Sequence, residues 1–265
     1  AGQETGGVVV MVLGGPGFSV ATELAAYEGD AYAMGEGVAS SLRRIEGEYK
    51  VLLLLPDGLR ADPEEVVRGA YNVAGPAIPL VGGASGDANQ FESAWEFNDG
   101  QVTRGVVGAA IGSSAPLGVG IAHGWEPLGE PVLVTRSKGM DLLELDNQPA
   151  LEVWAERSGT QLAEARRTGT AERIAVTRPL GLMRGDRIEV RTFVGVDFER
   201  GSLRGVTPIS EGEYAWVMKG EADSVIASTN QAVTTATQTF GDATPLGLLA
   251  FGCCARSLVV GPDRL

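Results

Sequence analysis

The sequence predicts an α/β chain of two coupled subdomains, with mixed β-sheets packed against helices. Three patterns carry that expectation. Strand-length apolar runs alternate with helical periodicity over roughly the first ninety residues. Short alternating strands separated by turn residues follow. A second group of strands then leads into one long helical stretch.

Val8–Leu13 is a continuous apolar run broken by Gly14-Gly15-Pro16-Gly17, as expected of a buried strand. Ala31–Ile45 places Met34, Val38, Leu42 and Ile45 on one helical face, with Arg43 and Arg44 pointing outward. Val51–Leu55 is another apolar strand. Asp62-Pro63-Glu64-Glu65 opens a helix: the aspartate caps, proline suits the first turn, and the glutamates favour the positive end of the dipole. That helix is expected to end near Val73, ahead of Gly75-Pro76. Ile78–Val81 is the next strand and enters Gly82-Gly83.

From Phe91 the pattern becomes an antiparallel meander. Phe91–Phe97 alternates, Asn98-Asp99-Gly100 signals a hairpin, and Val102–Ile111 returns. Leu117–His123, Val132–Ser137 and Leu142–Leu145 read as further strands, and Pro149–Glu156 as the start of a helix. The polar stretch Arg157–Glu172 marks the expected boundary, giving portions 1–157 and 158–265. Beyond it, Ile174–Thr177, Arg187–Phe193, Ser202–Val206 and Tyr214–Met218 read as strands. Ala222–Thr239 reads as a helix and Leu246–Phe251 as a last buried strand.

Composition narrows the function classes. The 34 acidic residues outnumber 21 basic ones, for a net charge of -13. Such a field repels nucleic-acid phosphates and anionic lipid, so neither is an expected partner, although acidity also simply favours solubility. No apolar run reaches the roughly 18–20 residues of a membrane span. No basic segment followed by an apolar one marks a signal peptide. Cys253 and Cys254 are adjacent and build no disulfide framework, which suits a reducing cytoplasm. The 38 glycines follow no period, so they read as turns, bulges and close backbone approaches within a compact fold.

Several segments together resemble one known family. They are Leu55-Pro-Asp-Gly-Leu59, Pro79-Leu-Val-Gly-Gly-Ala-Ser-Gly-Asp87, the stretch from Gly118 to Pro131 around His123-Gly124-Trp125, and Leu142–Val153. This set resembles the N-terminal portion of FIST domains. Pro179-Leu-Gly and Phe251-Gly-Cys-Cys-Ala-Arg256 resemble the C-terminal portion, with its Phe-x-Cys-x-x-Arg pattern. Against that pattern the chain begins late and stops early, lacking a leading strand-and-helix unit and a closing segment with a Gly-Glu pair. The resemblance implies a bacterial-type, small-ligand sensory domain of a signalling protein, with a kinase or cyclic-nucleotide enzyme as its output partner. Some eukaryotic members are joined to an F-box, and some bacterial ones resemble haem-binding nitric oxide sensors. No cofactor is expected, with haem as the alternative.

The residues themselves offer a few candidate ligand contacts. His123 is the one histidine, so a Ser-His-Asp triad or a histidine-ligated haem would have to use it. The plain alternative is a hydrogen-bonded histidine at a strand end. Gly124 and Trp125 beside it allow close approach of a small or flat ligand. Gly82, Gly83 and the turn up to Asp87 offer either an anion-binding nest and pocket wall or a tight turn. It lacks the Lys-Ser/Thr of a phosphate loop. Asp87 suits a ligand amine or hydroxyl, or a capping role. Cys253 is either an activated thiolate or inert, and Arg256 can fork onto a carboxylate or phosphate of ligand or protein. The expected pocket lies between the two halves. No Cys-x-x-Cys or His-x-x-x-His spacing points to a metal. Without a Gly-x-Ser-x-Gly elbow, a hydrolase or transferase using His123 or Cys253 is the lesser reading, beside a protein-interaction module.

Overall fold

The computed structural model describes residues 11–60, 62–87, 92–185, 187–261 and 264. It has two compact units. One runs up to Ile121 and adds Val233–Phe251; the other is Ala122–Ala232 with the chain from Gly252 onward.

The first unit is built on a mixed four-stranded sheet. Its elements are β1 (Phe18–Ala26), α1 (Ala31–Ala39, continued by a 3-10 turn Ser40–Arg44), β2 (Tyr49–Pro56), α2 (Pro63–Ala74), β3 (Leu80–Gly82), the short β4 (Glu96–Asn98) and β5 (Gln101–Thr103), and β6 (Gly105–Ser113). The sheet order is β1-β6-β2-β3, antiparallel except for the parallel pair β2–β3. Met34, Val38, Leu42 and Ile45 are buried as the helical spacing predicts, against Leu52, Leu54 and Val106. The Asp62 carboxylate accepts from Glu64 N–H (3.0 Å) and Glu65 N–H (3.3 Å), capping α2 as expected. α1 and α2 touch backbone to backbone. A Cβ on Gly35 would sit 2.1 Å from Val66 O, and one on Gly69 would sit 2.0 Å from Tyr32 O. The β4–β5 hairpin turns on Asp99 and Gly100 at φ 47° and 78°, the two positive values that a type I′ turn requires.

The second unit has an antiparallel sheet. Its strands and helices are β7 (Trp125–Lys138), β8 (Asp141–Leu145), β9 (Gln148–Pro149), α3 (Ala150–Ser158), α4 (Leu162–Thr168), α5 (Ala171–Thr177), β10 (Leu180–Arg184), β11 (Arg187–Arg191), β12 (Phe193–Asp197), β13 (Ser202–Gly205), β14 (Tyr214–Gly220), α6 (Ala222–Thr237) and α7 (Cys254–Val260). The order is β11-β10-β14-β7-β8-β13-β12, with β9 paired to β8. α6 starts in this unit, and its last residues belong to the first. Trp154, Phe193, Leu180 and Leu142 fill the main core, and Trp154 Nε1–H donates to Arg178 O at 2.8 Å. A smaller core joins Trp125, Met218, Val225 and Ala255.

The α/β class therefore holds, while several elements differ from expectation. Val8–Val10 lie outside the described residues; Met11–Leu13 are exposed and form no strand. Phe91 also lies outside them, and regular pairing begins only at Glu96. Leu117–His123 is open chain, with Val119 and Ile121 exposed. There the chain lies against the end of α6, where a Cβ on Gly118 would stand 1.7 Å from Ala236 O, and not beside a strand. Ile174–Thr177 is the end of helix α5, because Ala171 and Ala175 one turn apart supply the buried face. Leu246–Phe251 is exposed irregular chain, not a buried strand: its apolar residues have no pairing partner among the described residues.

Candidate functional site

Two polar clusters stand out, one in each unit. The first lies at the carboxyl end of the parallel pair β2–β3, the position where open α/β sheets commonly bind ligands. Beyond β2, Asp57 continues the ladder by a parallel bridge to Ser85. Ser85 N–H donates to Pro56 O at 2.9 Å and Gly58 N–H to Ser85 O at 3.3 Å. The Ser85 hydroxyl donates to Glu96 Oε1, and Gly105 N–H donates to Glu96 Oε2 at 3.2 Å.

Asp57 is fully buried. Its Oδ1 accepts from Leu59 N–H at 2.8 Å, while its buried Oδ2 has no hydrogen-bond partner among the described residues. Neither Asp57 nor Glu96 makes an ion pair among them. Burial pushes the Glu96 carboxyl above its ordinary range. The bonds from Ser85 and Gly105 oppose that rise, and the Asp57 charge adds to it. Two buried carboxyl groups without a cation are costly, and such arrangements concentrate at functional sites.

The predicted glycine turn belongs to this cluster. Gly82 and Gly83 lead to Ser85, and Gly83 packs on the Phe251 ring, 3.2 Å from where its Cβ would be. Asp87 Oδ2 accepts from Glu92 N–H (2.6 Å) and Ser93 N–H (3.0 Å), fixing the return toward Glu96. This is its capping alternative. With Ser85 N–H spent on Pro56 and two carboxyl groups beside it, the turn faces acid and is a poor nest for an anion.

The second cluster gathers His123, Gly124, Trp125 and Arg256. Gly124 has φ 79°, and a Cβ there would stand 2.6 Å from Val225 Cα, so the position needs glycine twice over. Its carbonyl accepts from Ser224 Oγ at 2.8 Å. Trp125 N–H donates to His123 Nδ1 at 3.0 Å, which leaves the neutral ring's proton on Nε2, and the imidazole also meets the Ile188 backbone. Burial lowers the imidazole pKa below its ordinary value. The Ile188 bond opposes this, and the nearby Arg256 charge reinforces it. Trp125 is buried and donates Nε1–H to Thr177 O at 3.2 Å.

The Arg256 guanidinium makes four hydrogen bonds to neutral groups: His123 O (3.1 Å), Ser228 Oγ (2.8 Å), Val225 O (2.8 Å) and Thr229 Oγ1 (2.7 Å). Among the described residues, the fork meets protein carbonyls and hydroxyls and no carboxylate. It ties α7, α6 and the chain entering β7. Cys253 and Cys254 are exposed at the start of α7, and burial at the sulfur, then the Cys253 thiol, pushes the Cys254 pKa up. That is the opposite of an activated thiolate.

A haem iron would need an imidazole lone pair. The Nδ1 lone pair receives Trp125 N–H and Nε2 carries the proton, so His123 as arranged here does not fit an axial ligand. No nucleophile is hydrogen-bonded to this imidazole among the described residues. Among them, no group of three or more His, Cys, Asp or Glu could hold a metal, and no helix is long and apolar enough to cross a membrane.

Comparison with known proteins decides the family. The FIST N domain model matches residues 1–148 and the FIST C domain model residues 150–265. The chain belongs to the FIST family. FIST domains are small-ligand-binding sensory domains of signalling proteins, not catalytic ones. Over 80 residues this FIST chain is 29% identical to an uncharacterised protein of Methanocaldococcus jannaschii, a stretch covering 30% of the chain and 16% of that relative. No solved structure matches it.

Asp57 and Glu96 were not singled out from the sequence. The signal for Asp57 was Pro-Asp-Gly directly after an apolar strand. Glu96 sits in an alternating strand pattern that a solvent-facing glutamate would equally satisfy.

Proposed function

We propose that this FIST chain is the sensory portion of a signalling protein and takes a small polar metabolite at the carboxyl end of β2 and β3. The observation that carries the reading is the Asp57 carboxylate, fully buried with one oxygen unpartnered among the described residues, beside the buried Glu96. A ligand presenting hydrogen-bond donors would satisfy that oxygen and offset the charge, after the exposed turn around Gly82, Ala84 and Gly86 gives way. Ligand binding then shifts the equilibrium of that turn, which is the physical content of sensing. The output partner in this reading is a kinase or cyclic-nucleotide enzyme of a bacterial cytoplasm.

The test is thermal denaturation of the full chain with fractions of a metabolite extract, followed by mass spectrometry of the retained compound. A saturable rise in melting temperature supports the reading. Asp57→Asn supplies its own donor to the pocket. It is expected to abolish the ligand-induced rise while making the ligand-free chain more stable by about 1–2 kcal/mol. A ligand response that survives Asp57→Asn and Glu96→Gln places binding elsewhere and defeats the proposal. A Soret band from protein purified with haem, lost in His123→Ala, would instead favour the haem-sensor alternative.

A further inference from the structure

Given the metabolite site proposed above, on which this rests, we infer that its ligand is an organic cation without an acidic group: an ammonium, amidinium or guanidinium on a carbon skeleton. Asp57 is fully buried, and its Oδ2 has no hydrogen-bond partner among the described residues. Glu96, only 5% exposed, brings a second carboxyl close enough for the two charges to act on each other. A neutral donor would satisfy the unpartnered oxygen and leave the buried charge standing. A cation with N–H groups does both.

The donors around these two carboxyls are already engaged with one another. Ser85 N–H donates to Pro56 O (2.9 Å) and Gly58 N–H to Ser85 O (3.3 Å). Leu59 N–H donates to Asp57 Oδ1 (2.8 Å), Gly105 N–H to Glu96 Oε2 (3.2 Å), and the Ser85 hydroxyl to Glu96 Oε1. A ligand carboxylate or phosphate would meet two acids and none of these donors. Arg104, the cation beside Gly105, lies over the exposed Trp95 ring at 5.0 Å and donates to Glu92 O at 3.4 Å. It forms an ion pair with neither carboxyl.

The ligand count favours an organic cation over a bare metal ion. Hard metal ions take about six or more oxygens. Among the described residues, no group of three or more His, Cys, Asp or Glu could hold one. An N–H cation asks less, since its own hydrogens supply the directed bonds to Asp57 Oδ2. Its carbon skeleton has an apolar neighbour in the part-exposed Phe251 ring, which packs on Gly83 two residues before Ser85.

The experiment titrates the full chain with two matched pairs of compounds, by calorimetry and thermal shift. Benzamidine is set against benzamide, its neutral counterpart, and agmatine against arginine, which adds a carboxylate to the same skeleton. Benzamidine and agmatine should bind saturably at one site per chain. Benzamide and arginine should bind at least about ten-fold more weakly than their partners. Glu96→Gln should weaken benzamidine about ten-fold, and Asp57→Asn should abolish its binding. The wild-type comparison decides the ligand class even where a variant fails to fold. Benzamide or arginine binding as tightly as its partner, or no binding of either cation, overturns the inference. A neutral or acidic metabolite from the extract whose effect is lost in Asp57→Asn also overturns it, while leaving the metabolite site standing. Cation binding undiminished in both variants defeats the site and the ligand class together.

Discussion

The Arg256 guanidinium donates to the backbone carbonyl of His123 at 3.1 Å, joining positions 133 residues apart. The same group also grips α6 through Val225 O, Ser228 Oγ and Thr229 Oγ1. Lysine has one nitrogen and cannot span these acceptors. Arg256→Lys is expected to destabilise the chain by about 2–3 kcal/mol in urea unfolding. It should also raise amide hydrogen exchange in α7. Unchanged exchange there would remove the case for the tie.

Glu96 makes stability decline as pH rises above the ordinary glutamate range. Its folded pKa lies above the ordinary glutamate value, so the folded state holds the proton more tightly than the unfolded chain does. The favourable contribution is complete below the unfolded value and is lost as pH rises through the folded one. Melting temperature should therefore decline across that interval. Glu96→Gln should flatten it, and a wild-type slope retained in the variant would assign the decline to another group.

His123 sets an acid limb of opposite sign. Its folded pKa is lowered, so stability is full above the unfolded value of about 6.5 and falls as pH drops through the folded one. The chain has one histidine, so a single imidazole resonance follows the titration without assignment. Its midpoint should lie below that of a free histidine. A midpoint at or above the free value would contradict the burial and the Arg256 charge as the dominant influences on this ring.

Two glycines make a matched pair of substitutions. Gly124→Ala meets a left-handed φ and the backbone of Ser224 and Val225, and should cost about 3 kcal/mol. Gly86→Ala meets open space and should stay within about 0.5 kcal/mol. Calorimetry on both variants measures the contrast directly.

Much of the architecture was legible because local chemistry and tertiary burial agree. Met34 and Val38 announce a helix and are buried on α1, whereas Leu42 and Ile45 are buried beyond its end, in the 3-10 turn and the extended residue after it. Asp62-Pro63 caps α2 and Asn98-Asp99-Gly100 forms the β4–β5 turn, each as its own residues predict. The failures are places where the partner is remote. Phe18–Ala26 has small and polar residues and becomes a strand only because β6 supplies a nine-residue ladder. Leu117–His123 and Leu246–Phe251 are apolar enough for strands but find no strand partner among the described residues. At the site, the glycine turn was visible by composition. Asp57 and Glu96 were not, because their significance lies in sharing one buried place despite being 39 positions apart in the sequence (96 less 57).

Gly35 and Gly69 leave no side-chain cushion between the first two helices. A cushioned pair could slide by trading rotamers, since rotamer changes are cheap and fast. Here any slide would drive one main chain into the other. Strain arriving from a filled site at the tip of β2 has to be carried by turns and strand ends, because this two-helix layer can answer only by moving whole.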